Sequence, residues 1–307
     1  MARRESKTKK KKWPWVLGIL GVIVIGLAVY LFTVYNSFTN TLDEIHEPID
    51  REVSDKRATD QKVVLKDQDP FSVLLLGVDE REDDRGRSDT MVVMTINPTD
   101  KSTKMVSIPR DTYTEIVGRG TTDKINHAYA FGGIEMSMAT VENLLDIPID
   151  YVLQVNMEGF QEIVDAVGGV EVNNTLAFDN YPEGTIQLDG QEALGYVRMR
   201  KQDPEGDFGR QNRQKQVIQG IMKKGASVNS LVNYKEIFTA LGNNVRTNMT
   251  FDEMKDVQSN YRDAIGKVDQ MIIEDGRGET INGIWYYMMD DAELAEIQST
   301  LKAHLNM

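Results

Sequence analysis

The sequence predicts an α/β protein: a single extracytoplasmic α-β-α domain with a mixed central sheet, preceded by one N-terminal transmembrane helix. Three observations predict it. From residue 71 onward, short apolar runs alternate with amphipathic stretches, the pattern of strands interleaved with helices that cover both faces of a sheet. Two of those runs, 90–96 and 103–108, are separated only by the turn-rich Asn97-Pro98-Thr99-Asp100-Lys101-Ser102. They read as a β-hairpin, so the sheet is mixed rather than purely parallel. Finally, residues 13–35 are nearly continuously apolar, and no charge occurs between Trp13 and Leu42.

The N-terminal run comes first. Twenty-three helical residues span about 34 Å, enough for a hydrocarbon core of about 30 Å. Trp13, Trp15, Tyr30 and Tyr35 sit near its ends, where amphipathic rings prefer the headgroup layer. Residues 1–12 hold seven cations against one anion, a net +6. This block places the N-terminus in the cytoplasm and everything after residue 35 outside. A cleaved signal peptide has the same charge order, but its apolar region is about 7–15 residues and ends in a small-x-small site, which Tyr30-Leu31-Phe32-Thr33-Val34-Tyr35 does not offer. The expected organisation is a basic cytoplasmic tail at 1–12, an anchor at 13–35, a polar stalk at 36–70 and a domain at 71–307.

Within the domain, 71–78 (FSVLLLGV) is apolar apart from Ser72 and ends in Gly-Val, as a strand buried on both faces should be. After the hairpin, helices are expected at 124–131 and 134–145 around Gly132-Gly133. A strand follows at 151–155, then a helix at 157–167 closed by Gly168-Gly169, and a short strand at 170–172. Helices are expected at 191–196, 208–224 and 231–241. The last third alternates again, with a helix near 252–265, strands near 267–274 and 280–287, and a helix near 290–304.

Charge and composition exclude several functions. The whole chain carries −13, so beyond the basic tail it carries −19, and it would be repelled by bulk nucleic acid. There is no cysteine, which excludes disulfides, thiol nucleophiles and zinc-thiolate sites. With only His46, His127 and His304, no paired-histidine metal motif is possible. Nor is there a Gly-rich P-loop, a G-x-S-x-G elbow or a basic recognition helix.

Three segments gather polar residues where strands end, the place where open α/β sheets bind ligands. Asp79 follows one buried strand and Asp89 precedes the next, so a loop brings two carboxylates to one edge. Two carboxylates with open coordination positions suit Mg2+; strand-end turn chemistry is the alternative. In Ser107-Ile108-Pro109-Arg110-Asp111-Thr112, a rigid proline delivers Arg110, placed to fork onto a phosphate or merely to pair with Asp111 on the surface. Lys124 supplies a further positive point, and Asn126 an orienting amide or a helix cap. The third segment is densest, with Arg198, Arg200, Arg210 and Arg213 inside sixteen residues. Arg198 and Arg200 would share a side of an extended segment. Arg210, Arg213 and Gln214 would share a helix face. Asp207 is either an N-cap or a carboxylate holding an arginine in place. An anion cradle and solvated surface charge are the two readings of this cluster.

The chain resembles the LytR–CpsA–Psr family of cell-wall polymer ligases, and most closely its teichoic acid-transferring members. The resemblance lies in the cationic single-span N-terminus, LLLGVD ending at Asp79, RSDTMVV around Asp89, SIPRDT around Arg110, and KIN-x-AY-x-x-GG from Lys124. It continues through DAVGGVEV, G-x-x-AL-x-YVRMR ending at Arg200, and D-F-G-R-x-x-R-Q from Asp207 to Gln214. These cover about residues 71–221, the motif core of a catalytic domain. The sequence departs from the family in an acidic loop (Glu82, Asp83, Asp84) and in Lys215, where another Gln is frequent.

The resemblance implies a phosphotransferase that moves an anionic wall glycopolymer, wall teichoic acid in the first instance, from a polyprenyl-pyrophosphate carrier to a peptidoglycan sugar hydroxyl. It implies Mg2+, or Mn2+ in its place, on Asp79 and Asp89, with deprotonation of the acceptor as the alternative role of either. Arg110, Lys124, Arg198, Arg200, Arg210 and Gln214 would bind the pyrophosphate, supported by Asn126, Asp207 and Arg213. The polyprenyl tail would lie in an apolar tunnel, and the protein would be a single-pass membrane enzyme of a Gram-positive bacterium. The competing expectations are a polyprenyl-pyrophosphate hydrolase using the same residues, and a non-catalytic envelope regulator or polymer-binding protein.

Overall fold

The computed structural model describes residues 46, 48–49, 53–57, 62–79, 86–225 and 242–307. The expected anchor at 13–35, the helix at 231–241 and the acidic loop residues lie outside them. Among the described residues no helix is long and apolar enough to cross a membrane.

In chain order the elements begin with β1 (Phe71–Val78), β2 (Ser88–Asn97), β3 (Ser102–Ser107), β4 (Tyr113–Ile116), β5 (Thr121–Lys124) and α1 (His127–Leu145). Next come β6 (Tyr151–Asn156), α2 (Met157–Ala166), β7 (Val170–Asn174), β8 (Gly184–Leu188), α3 (Gly190–Arg198) and α4 (Asp207–Gly225). The chain ends with β9 (Val245–Thr247), α5 (Phe251–Asn260), α6 (Arg262–Ile265), β10 (Val268–Met271), β11 (Arg277–Ile281), β12 (Ile284–Met288) and α7 (Asp291–His304).

The central sheet has the order β10-β3-β2-β1-β6-β9. It is mixed: β1 runs parallel to β6 and β3 to β10, while β1–β2, β2–β3 and β6–β9 are antiparallel. β1 feeds two cores by simple alternation. Leu74, Leu76 and Val78 point to one side, where α1 and α7 supply Met138, Val141, Ile297 and Leu301. Phe71, Val73 and Leu75 point to the other, against Ile218 of α4 and Tyr261 and Ala264 around α6. A strand covered on both faces has no polar side, which is why its sequence reads as one apolar block. A third cluster joins α2, β7, β8, α3 and α4 through Val164, Val172, Tyr196 and Val217. The segment before β1 is bound to the domain, with Leu65 buried and the Arg57 guanidinium forking onto Asp150.

Several elements differ from the sequence expectation: β4, β5, β8 and β9 were not expected, and the helix near 252–265 is two helices, α5 and α6, parted at Tyr261. The helix before Gly132-Gly133 does not begin at Lys124, because β5 pairs with β4 and Lys124 lies opposite Tyr113. The glycine pair itself behaves as read: both residues leave helical geometry and Gly133 has φ +64°. The strand expected at 280–287 is two strands, β11 and β12, reversing at Asn282-Gly283, whose φ values are +52° and +82°. Asn-Gly is the residue pair that such a tight hairpin demands. Arg198 does not lie in an extended segment but closes α3.

Candidate active site

The site starts with a defect in the sheet. Along the β1–β2 ladder Gly77 faces Thr90, but Val78 faces Ser88, leaving Asp89 as the extra residue of a β-bulge. A bulge bends its strand and re-aims a side chain. Gly77 is what lets the strands close beside it, because a Cβ there would lie 2.8 Å from the Thr90 Cβ. Asp79 leaves β1 at the same end of the ladder, and its N–H donates to the Arg87 carbonyl at 3.4 Å.

Arg110 arrives from β3. The Ile108 N–H donates to the Met91 carbonyl, and Pro109 turns the chain so that Arg110 Nη1 donates to Asp89 Oδ1 at 2.8 Å. Its Nε lies 3.7 Å from Asp111, which also accepts from Lys124 Nζ at 2.6 Å. Facing them is the first turn of α4, where Asp207 pairs with Arg210 at 2.8 Å. One turn further on stands Gln214. Asp89, Arg110, Asp207, Arg210 and Gln214 therefore line one narrow, closely walled cleft, floored by Met91, Ser107 and Ile108.

Its electrostatics are frustrated. Burial alone would lower the Arg110 pKa, but the carboxylates of Asp89, Asp207 and Asp111 together outweigh it and raise the pKa, fixing the charge. At Arg210 burial wins: the pKa is lowered, Asp207 opposes the change, and the charges of Arg110 and Arg200 add to it. Among the described residues, several buried polar atoms at or beside the cleft find no hydrogen-bond partner: Ser88 Oγ, Ser107 Oγ, Asn126 Oδ1 and Arg210 Nε. Buried polar atoms are normally satisfied. Two guanidiniums lining one cleft, near enough for the charge of Arg110 to act on Arg210, beside buried polar atoms without partners among the described residues, form a site that gains by taking an oxyanion.

The other expected site residues separate into groups. Lys124 stands behind Asp111, one residue from the Arg110 ion pair. Asn126 is buried and its N–H donates to the Arg110 carbonyl at 3.2 Å; its side chain makes no capping bond to α1, so capping is not its role. Arg200 is exposed, yet near enough for its charge to act on Arg210. Arg198 is exposed at the end of α3. Arg213 is not part of the cleft. It is buried and clamps α4 to α3, with Nε donating to the Tyr196 carbonyl, Nη2 to the Met199 carbonyl and Nη1 to Asp203. The expectation of one face for Arg210, Arg213 and Gln214 fails because residues at i+3 and i+4 fall on opposite sides of residue i, about 100° apart around the axis. Ser107 and Gln211, which the sequence reading passed over, line the cleft instead. The only signal for Ser107 was a hydroxyl following the apolar Met105-Val106 at the end of β3.

Asp79 and Asp89, the two carboxylates expected to hold a metal, lie at the same strand edge, and Asp89 is engaged there by Arg110. Among the described residues no group of three acidic or histidine side chains could hold a metal. A two-carboxylate edge beside an anion cleft suits a cation that completes its shell with water and substrate oxygens, as Mg2+ does.

The model of the LytR_cpsA_psr family matches residues 32–303. The chain belongs to that family. The match runs beyond the motif core at 71–221, so β9 to α7 are LytR_cpsA_psr sequence as well. The polyisoprenyl-teichoic acid--peptidoglycan teichoic acid transferase TagU of Bacillus cereus (strain AH820) is 52% identical over 303 residues, 97% of this chain and 99% of that protein. Among solved structures, the crystal structure of B. subtilis TagU is 50% identical with a TM-score of 0.63, covering 77% of this chain and 97% of that one. TagT bound to LIIa-WTA is 33% identical with a TM-score of 0.73, covering 85% and 100%. The LytR_cpsA_psr fold is thus carried by the whole described domain.

Proposed function

We propose that the protein is a phosphotransferase that moves an anionic cell-wall glycopolymer, wall teichoic acid in particular, from a polyprenyl-pyrophosphate carrier to a sugar hydroxyl of peptidoglycan. The carrying observation is the convergence of Arg110 from β3 and Arg210 from α4 on one cleft, each held by its own aspartate. The names of its half-identical relatives support the same substrates.

In this reading the acceptor hydroxyl attacks the phosphorus attached to the polymer. The new P–O bond makes a phosphodiester, and the bond to the distal phosphate breaks to release polyprenyl phosphate. Arg110 and Arg210 neutralise the phosphoryl oxygens as charge develops, which is most of what such a transfer requires. Gln214 orients an oxygen, while Lys124, Arg198 and Arg200 extend the positive rim. Asp207 and Asn126 hold the arginines' surroundings, and Asp79 or Asp89 takes the hydroxyl proton. Mg2+ or Mn2+ held by Asp79 and Asp89 would supply further neutralisation of the pyrophosphate. The partly buried Val73, Leu75, Met222 and Val257 on the α4 side of the sheet support an apolar path for the polyprenyl tail. Residues 13–35 would anchor the chain as a single-pass type II protein of a Gram-positive envelope, with 1–12 in the cytoplasm, 36–70 as a linker and 71–307 outside.

The test is reconstitution of the full chain with lipid-linked polymer and peptidoglycan. Covalent polymer–glycan product should form, disappear on chelation and return with Mg2+ or Mn2+. Free polymer phosphate without glycan attachment would replace the proposal with a hydrolase. Unchanged wall-polymer content in cells carrying only Arg110→Ala would replace it with a non-catalytic role.

A further inference from the structure

A second pocket adjoins the cleft, and Ser107 and Gln211 line both. Its walls are the start of α4, with Phe208, Asn212 and Lys215, and the segment after β10, with Ile273 and Glu274. It encloses about 260 Å³, just under the roughly 300–1,000 Å³ of small-molecule sites. The residue that demands an explanation is Lys215. It is 2% exposed, lies in the middle of α4, and has no hydrogen-bond or ion-pair partner among the described residues. Lysine is almost never buried unless paired, and an apolar side chain of the same length would be more stable there. Burial lowers its pKa, and the Glu274 carboxylate on the opposite wall offsets only part of that.

The pocket's composition selects among ligands. An ammonium group has three donors and no acceptor, so Lys215 needs lone pairs. A phosphate would supply them but would meet Glu205 and Glu274, two carboxylates against one cation. A neutral ligand with both hydroxyl donors and oxygen acceptors suits all of them. Its acceptors face Lys215, its hydroxyls face the two glutamates, both kinds face the Gln211 and Asn212 amides, and Phe208 and Ile273 flank its carbon face. Beyond Glu205 and Asn212 the groove opens into a further pocket lined by Asn174, Gln216 and Gln270, where Gln216 Oε1 is buried without a partner among the described residues.

We propose that the Lys215 pocket is a saccharide subsite, holding one uncharged hexose or amino-sugar ring next to the phosphoryl cleft, with the groove beyond it receiving the following unit. The inference rests on the transferase reading and deepens it. The ring belongs either to the lipid-linked donor or to the acceptor glycan; the chemistry is shared, and substrate-specific measurements separate the two.

The experiment compares the full-length protein with Lys215→Met, Lys215→Arg and Asn212→Ala. Saturation-transfer NMR is read with a peptidoglycan-derived oligosaccharide and, separately, with a soluble sugar-phosphate fragment of the donor. Wild type should bind one of them. Lys215→Met should weaken that binding about tenfold and raise KM for the same substrate to match, with kcat nearly unchanged, while Lys215→Arg retains part of the affinity. The Tm of Lys215→Met should equal or exceed wild type, because a buried unpaired cation is removed. Wild-type affinity for both sugars in a folded Lys215→Met protein overturns the proposal, as does absence of sugar binding in wild type. If Lys215→Met does not fold, Asn212→Ala at the half-buried rim decides, with unchanged affinity again overturning it. The NMR needs no turnover, so Lys215-dependent sugar binding without transfer would sink the transferase reading alone.

Discussion

The β2–β3 ladder carries a polar cluster at each end, and the two are built on opposite principles. At the hairpin end His304, 3% exposed, has its ring nitrogens 2.7 Å from Thr95 Oγ1 and 3.0 Å from Ser102 Oγ, and its carbonyl accepts from Asn97 Nδ2 at 2.8 Å. Every polar group in that latch has a partner. At the other end, around Asp89, Ser107 and Arg110, cations face each other and hydroxyls go unmatched. Satisfied polar groups fix the C-terminal helix to the sheet. Unsatisfied ones, next to like charges, mark where binding rather than folding set the residues. Arg213 and Arg210 repeat the contrast three residues apart on α4, one fully engaged by Asp203 and two carbonyls, the other crowded by Arg110 and Arg200.

The largest expected effect tests the engaged member. Arg213→Ala should cost about 3–5 kcal/mol, the price of orphaning a buried carboxylate, since the Asp203 side chain is 5% exposed. Urea denaturation of the full chain reads this directly, and a midpoint near wild type would remove Arg213 from the structural class. Arg110→Ala should behave oppositely. The rate of polymer transfer should fall about 10²–10³-fold, with the denaturation midpoint barely moved because Asp89 keeps a third of its side chain in solvent. Full activity in that protein would dissolve the distinction between the two ends of the ladder.

How much of this was legible depended on the length scale. β1 could be read because a strand covered on both faces must be apolar throughout, and Asp79 and Asp89 could be placed because strand ends are where charge resumes. Arg213 could not be told from Arg210, since a residue count along a helix does not say which neighbour each face meets. β11 and β12 merged into one strand because their hydrophobicity runs on across Asn282-Gly283, where the turn is written in backbone conformation. Lys215 was visible as an odd residue in a motif, but the wall that faces it is the segment after β10, more than fifty residues away in sequence. The bulge at Asp89 was also hidden, because register is a property of two strands together.

That bulge gives the next prediction. Gly77→Ala should destabilise by about 1–3 kcal/mol through overpacking against Thr90. It should also slow transfer, because opening the ladder shifts Asp89 and with it the Arg110 pair. Gly77→Ala with Thr90→Gly restores the space and should recover stability. Recovery of stability without activity would show that the bulge's shape, beyond its fit, aims the carboxylate.

The smallest effect belongs to the latch and concerns pH. Burial lowers the His304 pKa, with Lys104 adding to the shift and Asp100 and Asp269 opposing it. The folded state therefore binds a proton less readily than the unfolded chain. The stability that depends on a neutral ring is complete above the unfolded value near 6.5 and drains away as pH falls toward the lower folded value. Asp123, Asp146 and Glu253, whose pKa values are also lowered, act from ordinary values of 3.8 to 4.5 downward, so their acid loss begins in a lower range. His304→Gln keeps polar partners for Thr95 and Ser102 without a titrating ring. It should flatten the stability profile just below pH 6.5 and leave the loss below pH 4.5 in place. Identical profiles for the two proteins across that upper range would mean that the latch does not sense protons, whatever its hydrogen bonds.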